Sequence, residues 1–154
     1  MTLLVLTSFA LIVLTIVVHA VGTNKWLRFL VGRYAGSDGQ FKPSTRLTIL
    51  IATALVLIGL HLVEILLWAL TYIVVAPGEL GSLEPALYFS AVTFTSLGYG
   101  DITLSSQWRI LSGIEAINGI LLIGWTTAFL FAVLQRTWVP LAEIQNKKGG
   151  NKDE

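Results

Sequence analysis

The most constraining feature of the sequence is a short stretch, Thr95–Asp101 (TSLGYGD), that lies between two long apolar runs. Successive carbonyl groups of an ordinary strand of L-residues point in alternating directions. Reversing every second carbonyl requires a positive φ, which glycine tolerates at little steric cost. Because Gly98 and Gly100 are two residues apart, the stretch can present a nearly continuous file of carbonyls. The alternative is a glycine-rich turn between two membrane helices.

A short helical segment precedes this stretch and argues against a simple turn. It begins near Glu84 and Pro85, and proline is well tolerated in the first turn of a helix. At about 1.5 Å per residue, a helix over residues 85–95 is too short to cross a bilayer. At membrane depth such a helix must be re-entrant and packed inside protein or against a water-filled cavity. Its C-terminal end, the negative pole of the helix dipole, favours a cation.

With this flank, the stretch resembles the selectivity filter of potassium channels. The resemblance covers roughly residues 47–136 and implies a tetrameric pore that conducts K+ passively. It implies that carbonyls of the filter, residues 96–100, form the ion sites, with the Ser96 hydroxyl as the innermost ligand. The filter residues are Ser96, Leu97, Gly98, Tyr99 and Gly100, and K+ would bind at the first four. The family usually has Thr where Ser96 stands and Val or Ile where Leu97 stands, so a weakly selective monovalent cation channel is one alternative. A non-conducting membrane assembly subunit, which could also carry three helices, is the other.

The resemblance also implies roles for residues around the filter. Asp101 would form an acidic ring at the outer mouth, where it concentrates cations. Tyr88 and Phe89 stand where the family commonly has an aromatic pair that braces the filter. Val92 stands where certain bacterial relatives have a carboxylate, so that partner for Asp101 is missing.

Two glycines of the last apolar run are candidates for different roles. Aligning the start of this run with the inner helix of the family places Gly119 at the hinge glycine. Glycines in membrane helices also permit close helix packing. We therefore expect Gly119 to be the hinge, with packing as its alternative, and Gly124 to serve in packing.

The composition supports a membrane protein, with 55% hydrophobic and 12% charged residues. About 20 apolar residues suffice to span a bilayer, and three runs reach this length. We predict an all-α membrane protein with three transmembrane helices, a re-entrant pore helix and a filter loop. The predicted segments are an N-terminal helix 1–23, a basic loop or interfacial helix 24–46, an outer helix 47–75, the pore helix 85–95, an inner helix 108–135 and a tail 137–154.

The distribution of Lys and Arg predicts the orientation of the chain. Five of the ten lie in residues 24–46 and four follow residue 135, which leaves only Arg109 on the other side. The positive-inside rule then places the N-terminus outside and the C-terminus in the cytoplasm of a multi-pass protein of the cell (inner) membrane. If the first apolar run were a cleaved signal peptide, the basic loop would lie on the translocated side of the membrane, which the positive-inside rule disfavours. We expect plain positive-inside bias to explain the basic residues of this loop, with contact with anionic lipids as the alternative.

Four polar side chains inside the apolar runs form a predicted buried cluster: His61, Glu64, Glu115 and Asn118. Residues three apart share a helix face, so each run presents one polar pair. We expect the two pairs to meet behind the pore helix, within reach of Ser90 or Thr93. At least one carboxyl should hold a proton or pair with His61, because an isolated buried carboxylate is costly.

Other functions find little support in the sequence. His19 is expected to cap or snorkel near a helix end, and one histidine with two carboxylates is weak support for a metal site. There is no cysteine, no nucleophile with a neighbouring base, and no helix with a basic residue at every third position. We therefore expect no enzyme, no cofactor beyond permeant K+, no nucleic-acid partner and no voltage sensor, and a tail too short for a ligand-binding domain.

Overall fold

The chain folds into helices joined by short connections. A computed structural model describes residues 2–36, 41 and 43–149, and the side chains of residues 4–36, 41 and 44–137. In chain order the helices are α1 (Thr2–Tyr34), α2 (Arg46–Val75), α3 (Leu83–Phe94) and α4 (Arg109–Gly149), with one 3-10 turn at Pro43–Thr45. Helices α1, α2 and α4 are long and apolar enough to cross a membrane. The predicted all-α architecture of three spans and one short helix is confirmed.

The first helix is longer than predicted. Instead of ending at residue 23 before a basic loop or a separate interfacial helix, α1 continues through the basic segment to Tyr34. Charged residues set the orientation of a helix but do not end it, and no proline interrupts this segment. The apolar residues of this segment, among them Trp26 and Leu30 at helical spacing, therefore belong to α1. Leu30 is buried against Phe41 and Ile49. Residues 37–40 and 42 of the predicted loop lie outside the described residues.

The other helices begin close to their predicted positions. Helix α2 starts one residue before the prediction, and α3 spans 12 residues, too few to cross a bilayer. Helix α4 does not end at residue 135 but continues to Gly149, so most of the predicted tail is helical. Several good helix formers follow Arg136, including Leu, Ala, Glu and Gln. Residues 150–154 lie outside the described residues.

Two compact units make up the fold. One comprises Met1–Gly22 and Ile58–Trp125. It holds α3 and the stretch Thr95–Asp101 that resembles a selectivity filter, called the filter stretch below. Its core contains large buried side chains from α2, α3 and α4, including Trp68, Tyr72, Phe94, Leu111 and Leu122. The other comprises Thr23–Leu57 and Thr126–Glu154, and its core contains Leu30, Phe41, Ile49 and Val133.

Helix α4 passes very close to the end of α3 at Gly119. A Cβ on Gly119 would overlap the backbone carbonyl of Phe94. Close packing is therefore a structural reason for this glycine, and its hinge role stays a prediction. At Gly124, within the described part of the chain, a Cβ would meet no heavy atom within 4 Å, so that packing inside one chain does not require this glycine.

Replacing each of these two glycines with alanine separates packing from helix propensity. Gly119→Ala should destabilise the folded protein by about 1–3 kcal/mol, because the added methyl group pushes against backbone. Gly124→Ala is the matched control in the same helix and should be neutral or stabilising by up to about 1 kcal/mol. Thermal unfolding in detergent measures both variants. Equal stability of the two would contradict the close approach at Gly119.

Candidate functional site

The filter stretch adopts an alternating backbone directly after α3. Ser96, Gly98 and Gly100 have φ values of 59°, 55° and 77°, so that every second residue is in the left-handed region. This alternation is the one required to turn successive carbonyls to the same side. The positive φ of Ser96 was not predicted. This conformation costs a non-glycine residue about 1–3 kcal/mol and persists only where the surrounding structure imposes it.

The end of α3 holds the inner part of the filter stretch. The N–H of Ser96 donates to the carbonyl of Thr93 at 2.9 Å, and the N–H of Leu97 donates to the carbonyl of Val92 at 3.0 Å. The N–H of Gly98 lies 3.4 Å from the same Val92 oxygen. In each contact the filter residue contributes its N–H group, and its own carbonyl oxygen is not consumed.

At the other end of the stretch, Asp101 has a hydrogen-bond partner that the sequence did not reveal. The hydroxyl of Tyr88 donates to Asp101 Oδ2 at 2.6 Å. Tyr88 lies one helical turn before Val92, on the same face of α3, and so gives Asp101 a partner in a chain that has no carboxylate at position 92. This hydrogen bond lowers the pKa of Asp101 and raises the pKa of Tyr88. Asp101 therefore stays ionised to lower pH than an ordinary aspartate.

A second carboxylate joins the two loops that flank α3 and the filter stretch. Glu79 precedes α3, and its two oxygens accept hydrogen bonds from the N–H and the hydroxyl of Ser105 at 2.9 and 2.6 Å. These bonds lower the pKa of Glu79. The loop before α3 is thereby tied to the loop after the filter.

Glu115 is completely buried and links three helices. The hydroxyl of Tyr72 on α2 donates to Glu115 Oε2 at 2.6 Å, and Ser90 Oγ on α3 lies 2.5 Å from Oε1. Ser90 Oγ is also 2.9 Å from the carbonyl oxygen of Ile65. Because a serine hydroxyl has a single hydrogen, both contacts are satisfied when Ser90 donates to Ile65 and a protonated Glu115 donates to Ser90.

Glu64 is also completely buried, and two histidines hold it. His19 Nδ1 lies 2.8 Å from Glu64 Oε1, and His61 Nδ1 lies 2.9 Å from Oε2. The expectation for His19 is wrong: it lies in the middle of α1, fully buried, rather than near a helix end. A buried carboxyl group without a partner is costly, and this cost explains why the imidazole ring of His19 is buried beside Glu64.

The predicted four-residue cluster is therefore only partly assembled as expected. Glu115 reaches Ser90 and Glu64 pairs with His61, but each carboxyl group also has a partner that was not predicted, Tyr72 for Glu115 and His19 for Glu64. Asn118 is buried and donates from Nδ2 to Thr15 Oγ1 on α1 at 2.8 Å. These three partners were missed. A stripe of buried polar residues on α1, Ser8, Thr15 and His19 at helical spacing, is the signal that could have found two of them.

Removing one hydroxyl group tests the burial of Glu115. Tyr72→Phe keeps the ring against Phe89 but leaves the carboxyl group with one partner fewer, which should cost about 1–3 kcal/mol of stability. Tyr34→Phe is the control, because the ring at this position stays beside Arg33. This variant should lose little stability. Thermal unfolding in detergent measures the difference. A Tyr72→Phe protein as stable as the control would contradict the buried hydrogen bond.

Comparison with known families places these features in one segment. A family described as ion channel matches residues 60–136, a range that contains most of α2, all of α3, the filter stretch and α4 as far as Arg136. Comparisons with curated proteins and with solved structures found no match. Three helices able to span a membrane and a matched segment that covers half of the chain lead to one conclusion: this membrane protein belongs to the ion channel family.

Proposed function

We propose that the chain forms a potassium-selective channel whose ion sites are the carbonyl groups of Ser96, Leu97, Gly98 and Tyr99. The observation that carries this proposal is the left-handed backbone at residues 96, 98 and 100. K+ is selected when carbonyl oxygens replace its hydration shell. That replacement requires successive oxygens on one side of the chain, which a strand with regular φ values does not provide.

The pore is a ring of four chains. One chain contributes one wall, and several copies around a symmetry axis are needed to surround an ion. In the single chain Leu97 and Tyr99 are 59% and 67% exposed, although both are large and apolar. Contact with neighbouring copies would cover them. The potassium-channel resemblance of the filter favours four copies over other numbers.

Charges and dipoles around the filter assist cation entry. Asp101 provides one carboxylate per chain at the outer mouth, and its hydrogen bond from Tyr88 keeps it ionised. The C-terminal end of α3, which lies immediately before the filter, presents the negative pole of its dipole to the pore axis. The function is passive transport rather than catalysis, with K+ as the only ligand that conduction requires.

The chain is oriented with its N-terminus outside and its C-terminus in the cytoplasm of the cell membrane. The basic residues at the end of α1 and the start of α2 then face the cytoplasm, where they also meet anionic lipids. The described helices carry no basic residue at every third position. Opening is therefore not driven by a voltage-sensing helix.

A weakly selective cation channel is the second candidate. Ser96 lacks the methyl group of threonine, and Leu97 is not β-branched and is less stiff at χ1. Both residues weaken the packing that holds the filter at a fixed width. The reversal potential in opposed potassium and sodium gradients distinguishes the two candidates.

Gly98→Ala should abolish or derange potassium current while the oligomer stays intact, because a Cβ at positive φ strains the filter. Gly78→Ala is the matched control, since Gly78 also has a positive φ, of 92°, with no heavy atom within 4 Å of its Cβ position. Single-channel recording in planar bilayers measures the current, and cross-linking measures the oligomer. Undiminished selective current in Gly98→Ala would refute the filter assignment.

Tyr88→Phe should change how the channel responds to acid on the outer side. The hydrogen bond lowers the pKa of Asp101, so the wild-type carboxylate keeps its charge until the pH falls through that lowered value. Without the hydroxyl the pKa returns towards its ordinary value, and conductance should start to fall at a higher pH.

Asp101→Asn is the control for this experiment. It should conduct less at every pH and show no further loss over the same range. If Tyr88→Phe and the wild type lose conductance at the same pH, the proposed role of the hydrogen bond is wrong.

A further inference from the structure

Three side chains between α1 and α2 form a group that the ion-conduction mechanism does not use. We call His19, His61 and Glu64 the histidine–glutamate triad. One ligand atom from each lies within 4.8 Å of those of the other two. His61 and Glu64 share a face of α2, and His19 approaches from α1. The three side chains therefore converge from two helices that are far apart in sequence.

We propose that this triad binds one divalent transition metal ion of the Zn²⁺ class and thereby clamps α1 to α2. Two imidazole nitrogens and one carboxylate oxygen are a donor set typical of zinc and of other late first-row metals. Mg²⁺ and Ca²⁺ prefer sets made of oxygen alone. The chemistry of the donors thus separates this site from the filter, which offers only oxygen.

The distances in the triad are close to those that such an ion requires. The two contacts of Glu64 with the histidines are 2.8 and 2.9 Å long, one to each carboxylate oxygen. Zinc lies about 2.0–2.2 Å from nitrogen and oxygen ligands, which at a tetrahedral angle puts the ligand atoms about 3.3 Å apart. The ion would take the place of the hydrogens in these two contacts, each of which would lengthen by about 0.5 Å. The ligand atoms of the triad lie within 4.8 Å of one another, and the longer separations among them would shorten around the ion.

Charge and access are also compatible with a metal ion. Glu64 supplies one negative charge, and a water molecule in the fourth position loses a proton more easily than bulk water does. The side chains of His19 and Glu64 are fully buried, whereas that of His61 is 16% exposed. The ion therefore reaches the site past His61.

The triad touches the parts of the pore that matter for conduction. The ring of His61 lies 5.7 Å from that of Phe94, the last residue of α3 before the filter stretch. The ring of His19 lies 5.6 Å from that of Trp125 on α4. An ion that fixes both histidine rings also restricts the base of the filter and the inner helix. Modulation of current rests on the proposed function, whereas metal binding does not.

The test uses the full-length protein, purified in detergent and freed of metal with a chelator. Wild type should bind one Zn²⁺ per chain in calorimetry and elemental analysis, and Zn²⁺ should raise its unfolding temperature while Mg²⁺ does not. His61→Gln should weaken binding at least about 100-fold, since loss of even an outer partner of a metal site costs 10–100-fold. Asp101→Asn, which removes the exposed carboxylate at the outer mouth, should bind Zn²⁺ as wild type does.

Two readouts keep the test independent of folding defects and of channel activity. Zn²⁺-loaded wild type should show two imidazole ligands in X-ray absorption, and Co²⁺ should give the visible spectrum of a tetrahedral site. Wild type that binds no Zn²⁺, shows no imidazole ligation, or binds as tightly after His61→Gln would overturn the proposal. Zinc binding in a protein that passes no potassium current would refute the proposed function and leave the metal site standing.

Discussion

The placement of the helices around the filter depends on two carboxyl groups that are completely buried, Glu64 and Glu115. A membrane interior has no water to solvate them, so their partners must come from the protein. Each partner lies on another helix or another turn: Glu115 is held by Tyr72 on α2 and Ser90 on α3, and Glu64 by His19 on α1. Satisfying these two groups therefore fixes how α1, α2 and α3 pack on one another and on α4.

The packing of these helices determines the position of the filter stretch. The contact of Ser90 with Glu115 fixes the middle of α3. The close approach of Gly119 fixes the position of Phe94, the last residue of α3. The carbonyl of Val92 then holds Leu97, while Tyr88 holds the far end through Asp101. A short stretch with a strained φ at Ser96 persists because both of its ends are attached to one rigid helix.

The sequence predicted those features that depend on neighbouring residues. The lengths of the apolar runs predict the three spans, and the spacing of Gly98 and Gly100 predicts their positive φ values. Prediction from the sequence failed where a contact joins residues that are far apart in the chain. His19 and Glu64 are 45 positions apart, and Tyr72 and Glu115 are 43 apart. The polar stripe on α1 could have marked His19 as buried, but no local pattern names the partner of either residue. The end of α1 was misplaced because a cluster of basic residues determines orientation and not helix length.

Helix α1 lies outside the segment that matches the ion channel family, yet it supplies partners to that segment. Thr15 accepts a hydrogen bond from Asn118, and His19 pairs with Glu64, so that one face of α1 serves two buried polar groups between residues 60 and 136. A buried polar group left without its partner costs about 1–3 kcal/mol, and a charged one costs more. Without α1, Asn118 would lose its acceptor Thr15 and Glu64 would keep only His61, in an apolar environment. The unit that folds stably is therefore larger than the family segment, and α1 is a structural part of the pore rather than an added anchor.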